Sequence, residues 1–404
     1  MDITADALIV GAGPAGSATA TLLADAGLRV VVVDRAAFPR DKPCAEYLSP
    51  GAVPVLERLG ALSTLEEAGA SLLSGTTVVG ACGSRLTGLF AKVGVARHRL
   101  SGLAVTRRVL DAALVDIARS RGATVLERTR VVQLVRQRGA VAGAVIATAG
   151  GRAVTVTAPV TVGADGLHSA VARWFGPTRR EPLRRWAFVG HFTGVTGLTD
   201  RAELHVGKEG YAGLNPIGPN VANVSLVVPR HVAKRVRGDV ADFFHDHLER
   251  FHGVRNRVPA SGSLGPIRTV GPFAVRSRRP VVDGGLLVGD AAEFFDPFTG
   301  EGVHSALRGA ELASAAILEA RRGSTPLSAK SLRSYLHARR RTFWGKWVVE
   351  RMIGYGMLMP SLFDRAIDRI GRKDPMAHTL IGVTGHVVSP TAVLNPVYLT
   401  RMVL

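Results

Sequence analysis

Short apolar runs separated by glycine-rich turns characterise the start of the chain. Positions 7–10 predict a strand, and a helix is expected from about Pro14 to Ala26, with Gly27 as its C-terminal cap. The almost continuous valine run at 29–33 is typical of a buried parallel strand. This strand–helix–strand order predicts a Rossmann-type α/β domain.

Further along, the hydrophobic period changes several times. Helices are predicted near 51–68, 106–121, 238–250 and 303–320, and the last ~75 residues are expected to be helical. Strands are predicted as a pair over 76–97, as a small meander from about 125 to 162, and at 186–193, 203–206, 221–228 and 285–288. The glycine- and proline-punctuated strands after residue 180 indicate a second sheet inserted between two parts of the first domain.

Length, cysteine use and the N-terminus narrow the class of protein. A chain of 404 residues indicates about two intertwined domains. It has only two cysteines, Cys44 and Cys82, which favours a reducing, cytoplasmic location. No basic segment precedes the first apolar run and no stretch has ~18 consecutive apolar residues, so neither a signal peptide nor a transmembrane span is expected.

The charge is strongly positive, at +19, and arginine provides most of the excess. One interpretation is a generally arginine-rich surface without a partner. An anionic membrane surface, contacted peripherally, or an acidic carrier protein remain open as partners. Nucleic acid is not expected, because no recognition motif and no basic stretch with interleaved aromatic residues is present.

The first turn carries a dinucleotide-binding pattern. Its residues are Gly11, Gly13, Pro14, Ala15 and Gly16, between the first strand and the first helix. Glycines allow a tight turn and close approach of the backbone to a pyrophosphate, and the helix N-terminus favours the phosphate charge. Asp34 ends the next strand about 20 residues later, where an acid can accept hydrogen bonds from ribose hydroxyls.

A second glycine-rich region points to a flavin rather than a nicotinamide as the resident dinucleotide. Gly289 and Asp290 follow an apolar strand, and Gly300 and Gly302 open a predicted helix. An aspartate after a strand can bind a ribityl chain, and bare N–H groups at a helix start stabilise negative charge on a flavin ring. The two regions together predict FAD.

Three motifs in this order carry a family resemblance. They are the first glycine motif, the Ala164-Asp165-Gly166 segment and the Gly289-Asp290 segment, and they resemble the para-hydroxybenzoate-hydroxylase-like superfamily of flavoproteins over about residues 5–320. The loops 42–52 and 296–302 are similar to its geranylgeranyl-reductase branch, which includes reductases, hydroxylases and relatives of the flavin halogenases. The resemblance implies a three-layer FAD-binding domain with a substrate sheet over the flavin.

The resemblance also implies roles for individual residues. The ADP half of FAD would be held by Gly11, Gly13, Ala15, Gly16, Asp34 and Arg35, and the backbone near Val131 or Val132 would contact the adenine. Arg107 would contact the phosphates or the ribityl chain. Asp290, Gly302 and Val303 would hold the ribityl chain and the flavin ring. Asp165 and Gly166 belong to a motif associated with both FAD and NAD(P)H, the expected transient co-substrate.

The sequence departs from the family pattern at several positions. Ala172 stands where an arginine often follows the Asp-Gly motif, and Ala45 replaces a glycine after Cys44. Of the reductases' Tyr-x-Trp-x-Phe-Pro pattern only Tyr211 and Pro216 remain, with Gly213 and Asn215 at the aromatic positions. The Trp-x-Trp-x-Ile-Pro pattern of the halogenases is absent.

The residues expected around the substrate come from three segments: 44–47, 211–216 and 296–300. The pocket candidates are Cys44, Glu46, Tyr211, Asn215 and Pro297. The Cys44 thiol is interpreted either as a proton donor near the flavin or as a small buried residue. His191 and His304 are interpreted as core or helix-start histidines, and no metal site is expected.

These observations predict a division of the chain into three parts and an enzymatic activity with two alternatives. The FAD-binding domain is predicted over 1–75, 98–180 and 271–330, the substrate domain over 76–97 and 181–270, and a helical C-terminal segment over 331–404. The expected activity is NAD(P)H- and dioxygen-dependent oxygenation of a hydrophobic small molecule; a carrier-bound substrate and a role in secondary metabolism remain open. The alternatives are a reductase or dehydrogenase of C–C bonds in a lipid or prenyl group, and a flavoprotein without turnover of its own.

Overall fold

The computed structural model describes residues 2–93, 100–323 and 327–403. The end of the strand pair predicted over 76–97 therefore lies outside the described residues. The α-helices are α1 (Pro14–Asp25), α2 (Val53–Leu59), α3 (Leu62–Glu67), α4 (Arg107–Ser120), α5 (Ala170–Phe175), α6 (Arg230–Ala233), α7 (Val240–Leu248), α8 (Gly302–Arg321), α9 (Arg333–Gly356), α10 (Pro360–Gly371), α11 (Asp374–Thr384) and α12 (Pro396–Val403).

A six-stranded sheet forms the centre of the N-terminal α/β unit. Its strands, in spatial order, are Val281–Val282, Gly285–Leu287, Thr161–Gly163, Ala7–Val10, Val30–Val33 and Thr124–Leu126. All neighbours are parallel except the first pair. The strand and helix of the first glycine motif therefore lie where the sequence predicts them.

Alternate side chains of the central strands pack into two different layers. Ala7 and Ile9 face one side, in a core with residues of α1, α4 and α8, whereas Leu8 and Val10 face the other. That second side is covered by a four-stranded sheet of Ile3–Thr4, Ala153–Thr157, Ala140–Ala147 and Arg130–Gln137. The result is the predicted three-layer α/β architecture.

A seven-stranded sheet forms the second unit. Its strands, in order, are Arg268–Val270, Arg185–Thr193, Val221–Pro229, Gly210–Gly218, Arg201–Gly207, Gly75–Val79 and Arg85–Leu89. It takes strands from both segments that the sequence assigns to the substrate domain, and the domain division stays a prediction. Two further sheets have three strands each. One consists of Thr178–Arg180, Val275–Ser277 and Glu293–Phe294, and the other of Tyr47–Leu48, Gly102–Ala104 and Ser71–Leu73.

The structure corrects three local predictions. The helix expected over 51–68 is two helices, because Gly60 adopts a left-handed φ of +83° and ends the first. The strand run expected at 153–162 is split at Pro159 between two sheets, since proline provides no N–H for the ladder. The strand Gly210–Gly218 was missed, because glycine, asparagine and proline are poor strand formers.

The C-terminal helices connect the two units. Tyr335 of α9 is buried in the core of the first unit and its hydroxyl donates to the Leu287 carbonyl. Ile367 of α10 and Ile381 of α11 pack in the core of the second unit. None of the described helices combines the length and the apolar character needed to cross a bilayer.

Candidate active site

The first glycine motif forms a tight turn with one open side. A side chain at Gly11 would place its Cβ 2.4 Å from the Ala164 carbonyl oxygen, and one at Gly16 would place it 1.8 Å from the Gly11 oxygen. At Gly13 the nearest atoms to such a Cβ would instead be guanidinium nitrogens of Arg40 and Arg107, at 3.5 and 3.8 Å. The turn therefore presents backbone and positive charge to the same space, as a pyrophosphate requires.

Asp34 links the second strand to this turn. Its carboxylate accepts hydrogen bonds from the N–H groups of Ala12 at 2.7 Å and Ala36 at 2.8 Å. Each oxygen keeps a free lone-pair direction, so the carboxylate can still accept from a ribose hydroxyl. Arg35 beside it is exposed.

Arg107 is the first residue of α4 and is buried. Its guanidinium forms a two-point ion pair with Asp111, at 2.8 and 2.7 Å, and Arg40 contacts the same carboxylate at 3.0 Å. Burial opposes the charged form, but Asp111 and the neighbouring Cys44 more than offset it and raise the pKa of Arg107. The guanidinium is therefore a fixed positive charge beside the phosphate space.

The second glycine region contributes a buried carboxyl group near Lys42 and Arg107. Gly289 has a φ of +57°, and Asp290 follows it in a short 3-10 turn. Burial raises the pKa of Asp290, while Lys42, Arg107 and Lys346 act in the opposite direction. Burial and Arg107 lower the pKa of Lys42. A recessed acid and a recessed amine among bare backbone suit a polar polyhydroxyl chain such as the ribityl of FAD.

Asp165 and Gly166 have separate tasks. The Asp165 carboxylate accepts from the Ser169 hydroxyl and from the Ala170 N–H at 2.7 Å, so it caps the start of α5. Gly166 has a φ of +77° and lines the cavity.

One cavity joins the nucleotide-binding unit to the seven-stranded sheet. Its empty volume, including its mouth, is about 1760 Å³. Gly13, Arg107, Gly166 and Asp290 line the part in the first unit. The far part is mainly apolar and is lined by Val78, Ala187, Val189, Leu204, Leu214, Val227, Val270, Phe273, Phe294, Ile353, Leu380 and Ile381. The nucleotide site thus opens into an apolar chamber.

Glu46 secures the loop 42–47, most of which lines the cavity. It has a left-handed φ of +58°, and its buried carboxylate accepts hydrogen bonds from the Arg107 N–H at 2.8 Å, His191 Nε2 at 2.7 Å and Asn223 Nδ2 at 3.0 Å. Glu46 itself does not line the cavity, whereas Cys44 does. The carboxylate therefore positions the loop that carries the thiol.

Two asparagines reinforce this loop. Asn215 and Asn223 are direct partners on neighbouring strands, and their side-chain amides donate to the carbonyls of Ala45 at 2.9 Å and Cys44 at 2.8 Å. The seven-stranded sheet thus holds the loop by its backbone.

A buried network fixes the loop before α8. Asp296 accepts from the Tyr211 hydroxyl at 2.7 Å and pairs with Arg185 at 2.8 Å, and Arg185 also donates to the Gly354 carbonyl of α9. Burial, and then Asp296, raise the pKa of Tyr211 well above its ordinary value. The network joins the seven-stranded sheet, the loop before α8 and helix α9.

The structure brings the three predicted pocket segments together around this cavity. Cys44, Tyr211, Asn215, Pro297 and Gly300 all line it, as do Pro14, Ala15, Gly289, Gly302 and Val303. Val132 does not: it lies on the four-stranded sheet and is 45% exposed. Asp34, Arg35 and Asp165 also lie outside the lining, so their roles toward a nucleotide remain predictions.

Several residues of the site escaped the sequence analysis. Arg40 and Lys42 lie in the loop between the second strand and the predicted pocket, and the signal was two basic residues shortly before Pro43. His191, interpreted as a core histidine, pairs with Glu46 and is one-third exposed. Asn223 was recognisable only as a polar residue within an apolar strand run.

The fold and the site together define a flavin-dependent oxidoreductase. A family model described as FAD binding domain matches residues 4–349, so the chain belongs to this family and FAD is its cofactor. A menaquinone reductase of Mycolicibacterium smegmatis is 31% identical over 330 residues, which cover 78% of this chain and 76% of the relative. A digeranylgeranylglycerophospholipid reductase of Methanothrix thermoacetophila is 31% identical over 323 residues, 78% of each chain.

Solved structures share the fold. The myxobacterial chondrochloren halogenase CndH has a TM-score of 0.82 at 22% identity, covering 99% of this chain and 95% of that one. Pseudomonas aeruginosa PqsL in complex with 2-aminobenzoylacetate has a TM-score of 0.75 at 24% identity, covering 89% and 98%. The family resemblance, the α/β fold class and the oxidoreductase class predicted from the sequence are confirmed.

Proposed function

We propose that the protein is a monooxygenase that uses NAD(P)H and dioxygen to oxygenate an apolar organic molecule bound in the chamber. The main support for this proposal is that the nucleotide site opens into a mainly apolar space, which buried polar networks hold in shape. A dry cavity protects reactive oxygen chemistry from water and needs no acid–base side chain of its own.

FAD, when bound, supplies the redox chemistry, and the residues around it supply position and charge. The first glycine turn, with Arg40 and Arg107 beside it, would hold the pyrophosphate. Asp290 and Lys42 would hold the ribityl chain, and the backbone at Gly300 and Gly302 would face the ring. The loop at Cys44 would form the opposite side of the substrate space.

The residues that the strand Gly210–Gly218 presents to the chamber favour oxygenation over the reduction of an isoprenoid chain. At the positions where the reductase pattern has aromatic residues, Gly213 and Asn215 line the cavity. A Cβ at Gly213 would lie 2.8 Å from Ser225 Oγ, and the Asn215 amide is bonded to the Ala45 carbonyl. At these two positions the strand has no aromatic side chain, so of the aromatic residues in the reductase pattern only Tyr211 lines the cavity. This argues against a narrow aromatic tunnel for a prenyl chain.

The test is isotope incorporation. Purified holoprotein is supplied with NADH or NADPH, candidate apolar substrates and labelled dioxygen, and products are analysed by mass spectrometry. We expect one labelled oxygen atom in the product and oxygen consumption that depends on substrate. Product that gains hydrogen without label would overturn the proposal.

A reductase acting on C–C bonds of a lipid or prenyl substrate is the second candidate. The two sequence relatives at 31% identity, both named as reductases, favour it. Such a reaction adds a hydride and a proton, and the thiol of Cys44 lines the cavity as a proton source.

The variant Cys44→Ser distinguishes the two candidates. Oxygen transfer does not require the thiol, so the variant is expected to retain FAD and most of its oxygenation rate. Under the reductase hypothesis, turnover falls by roughly the 10²–10⁴-fold that general acid catalysis contributes. Flavin reduction by NAD(P)H serves as the control for correct folding in both cases.

A further inference from the structure

The C-terminal helices carry most of the exposed bulky apolar side chains of the described residues. Nine such side chains are exposed, and six of them lie between Trp344 and Val397. Four are close in sequence at the α9–α10 junction: Tyr355, Leu358, Met359 and Leu362, which are 36%, 60%, 53% and 45% exposed. A grouped set, unlike single exposed residues, indicates a contact surface.

Unpaired positive charge accompanies this apolar group. On α10, Arg365 and Arg369 follow Leu362 at helical spacing, and within the described ranges neither forms an ion pair. Arg401 of α12 is likewise unpaired there, and it shares a surface hollow with Arg372, Lys373, Asp374, Pro375 and Met376. Asp368 is paired with Arg372 at 2.8 Å. The surface is therefore apolar at one end and basic along its length.

The inner side of the same helices covers the chamber. Ile353 of α9 lines the cavity, and Met357 and Ile367 pack in the core that includes Tyr211 and Phe298. The helices at the α9–α10 junction thus have two faces. The exposed apolar group is on the outer face, and the inner face is turned toward the chamber.

We propose that this outer surface, formed by Leu358, Met359, Leu362, Arg365, Arg369, Arg372, Lys373 and Arg401, docks on an anionic lipid surface from which the apolar substrate enters. Binding at a lipid surface has two contributions, insertion of apolar side chains and attraction to anionic head groups. The exposed leucines would provide the first, and the unpaired arginines the second. The net charge of +19 acts in the same direction. The inference rests on the proposed function only in assuming an apolar substrate.

Vesicle co-sedimentation of the full-length, FAD-loaded protein tests the proposal. The vesicles are phosphatidylcholine alone or phosphatidylcholine with phosphatidylglycerol, at physiological ionic strength. We expect binding to the anionic vesicles and weak binding to the neutral ones. Arg365→Gln with Arg401→Gln should reduce the partition coefficient about fivefold per removed charge. Leu358→Ser with Leu362→Ser should reduce it at least about tenfold.

Matched controls come from exposed residues outside the C-terminal helices. Leu264 is 56% exposed and lies beside the seven-stranded sheet, and Arg152 is exposed in the turn between Ala140–Ala147 and Ala153–Thr157. Leu264→Ser and Arg152→Gln should bind vesicles like the unmodified protein. If the intact protein stays in the supernatant with anionic vesicles, or if the double leucine variant binds unchanged, the surface is not a lipid-docking surface. A protein partner is then the alternative.

Failure of docking and failure of the proposed reaction are separable. Label incorporation from dioxygen is measured with substrate dissolved in detergent, where no membrane is needed. The double leucine variant should retain that activity while losing turnover of vesicle-borne substrate. Equal turnover of vesicle-borne substrate by both proteins would contradict docking and leave the reaction unaffected.

Discussion

The Tyr211 hydroxyl donates a 2.7 Å hydrogen bond to Asp296 Oδ1, and this bond joins the seven-stranded sheet to the loop before α8. The other oxygen of Asp296 is paired with Arg185, and both side chains are buried. Because Asp296 directly precedes Pro297 and the turn into α8, this contact sets the distance between the chamber wall and the expected ring position.

Removing the two partners of Asp296 should have unequal effects. Arg185→Met leaves a buried carboxylate without its cation and should lower the free energy of unfolding by about 3–5 kcal/mol. Tyr211→Phe removes one neutral donor and should cost about 1–3 kcal/mol. Chemical denaturation of the holoprotein measures both. Equal costs, or a larger cost for Tyr211→Phe, would contradict the structural role given to the ion pair.

The Glu46–His191 pair should make stability depend on pH. The hydrogen bond that the His191 imidazolium donates to Glu46 raises the pKa of His191 above its ordinary value of 6.5, and burial acts against it. More weakly, Asp41 raises this pKa and Arg268 lowers it. The stabilisation is fully present below pH 6.5 and is lost as the pH rises through the folded-state pKa. The free energy of unfolding should therefore fall with rising pH more steeply in the unmodified protein than in His191→Gln. Parallel pH profiles would show that the pair does not titrate as described.

Asp290→Ala should weaken FAD retention. The variant loses a charge-assisted hydrogen bond worth ~1.5–3 kcal/mol, which corresponds to about a 10- to 100-fold larger dissociation constant. Asp116 is exposed on α4, and Asp116→Ala is the matched control with unchanged affinity. Titration of the apoprotein with FAD, followed by flavin fluorescence, gives both constants. An unchanged constant for Asp290→Ala would remove this residue from the cofactor site.

Gly16→Ala should disrupt the first glycine turn. Its Cβ would lie 1.8 Å from the Gly11 carbonyl oxygen, so α1 must move away from the strand. The cost should be at least the ~1–3 kcal/mol typical of overpacking, together with loss of bound FAD. Gly150→Ala, where a Cβ meets no atom within 4 Å, should leave melting temperature and flavin content unchanged. A Gly16→Ala protein with normal flavin content would show that the turn tolerates a side chain.

The local patterns of this chain were sufficient for its cofactor and fold class. The apolar strand at 7–10, the glycine turn and the valine strand ending at Asp34 are consecutive in sequence, so their geometry follows from short-range sterics and helix capping. The second glycine region at Gly289 could be identified from the family motifs in the same way, because each motif is a turn of a few consecutive residues. The three pocket segments were predicted in this way.

The contacts that hold the chamber together could be decided only by the tertiary structure. Glu46 meets His191 across 145 residues, Tyr211 meets Asp296 across 85, and Arg185 meets the Gly354 carbonyl across 169. Such pairings depend on how two sheets and a helical segment pack, and no local propensity encodes that arrangement. Polar residues within apolar runs, such as Asn223, were visible in the sequence, but their partners were not. The sequence thus determined which cofactor the protein binds, and long-range packing decided the shape of the space in which its substrate would lie.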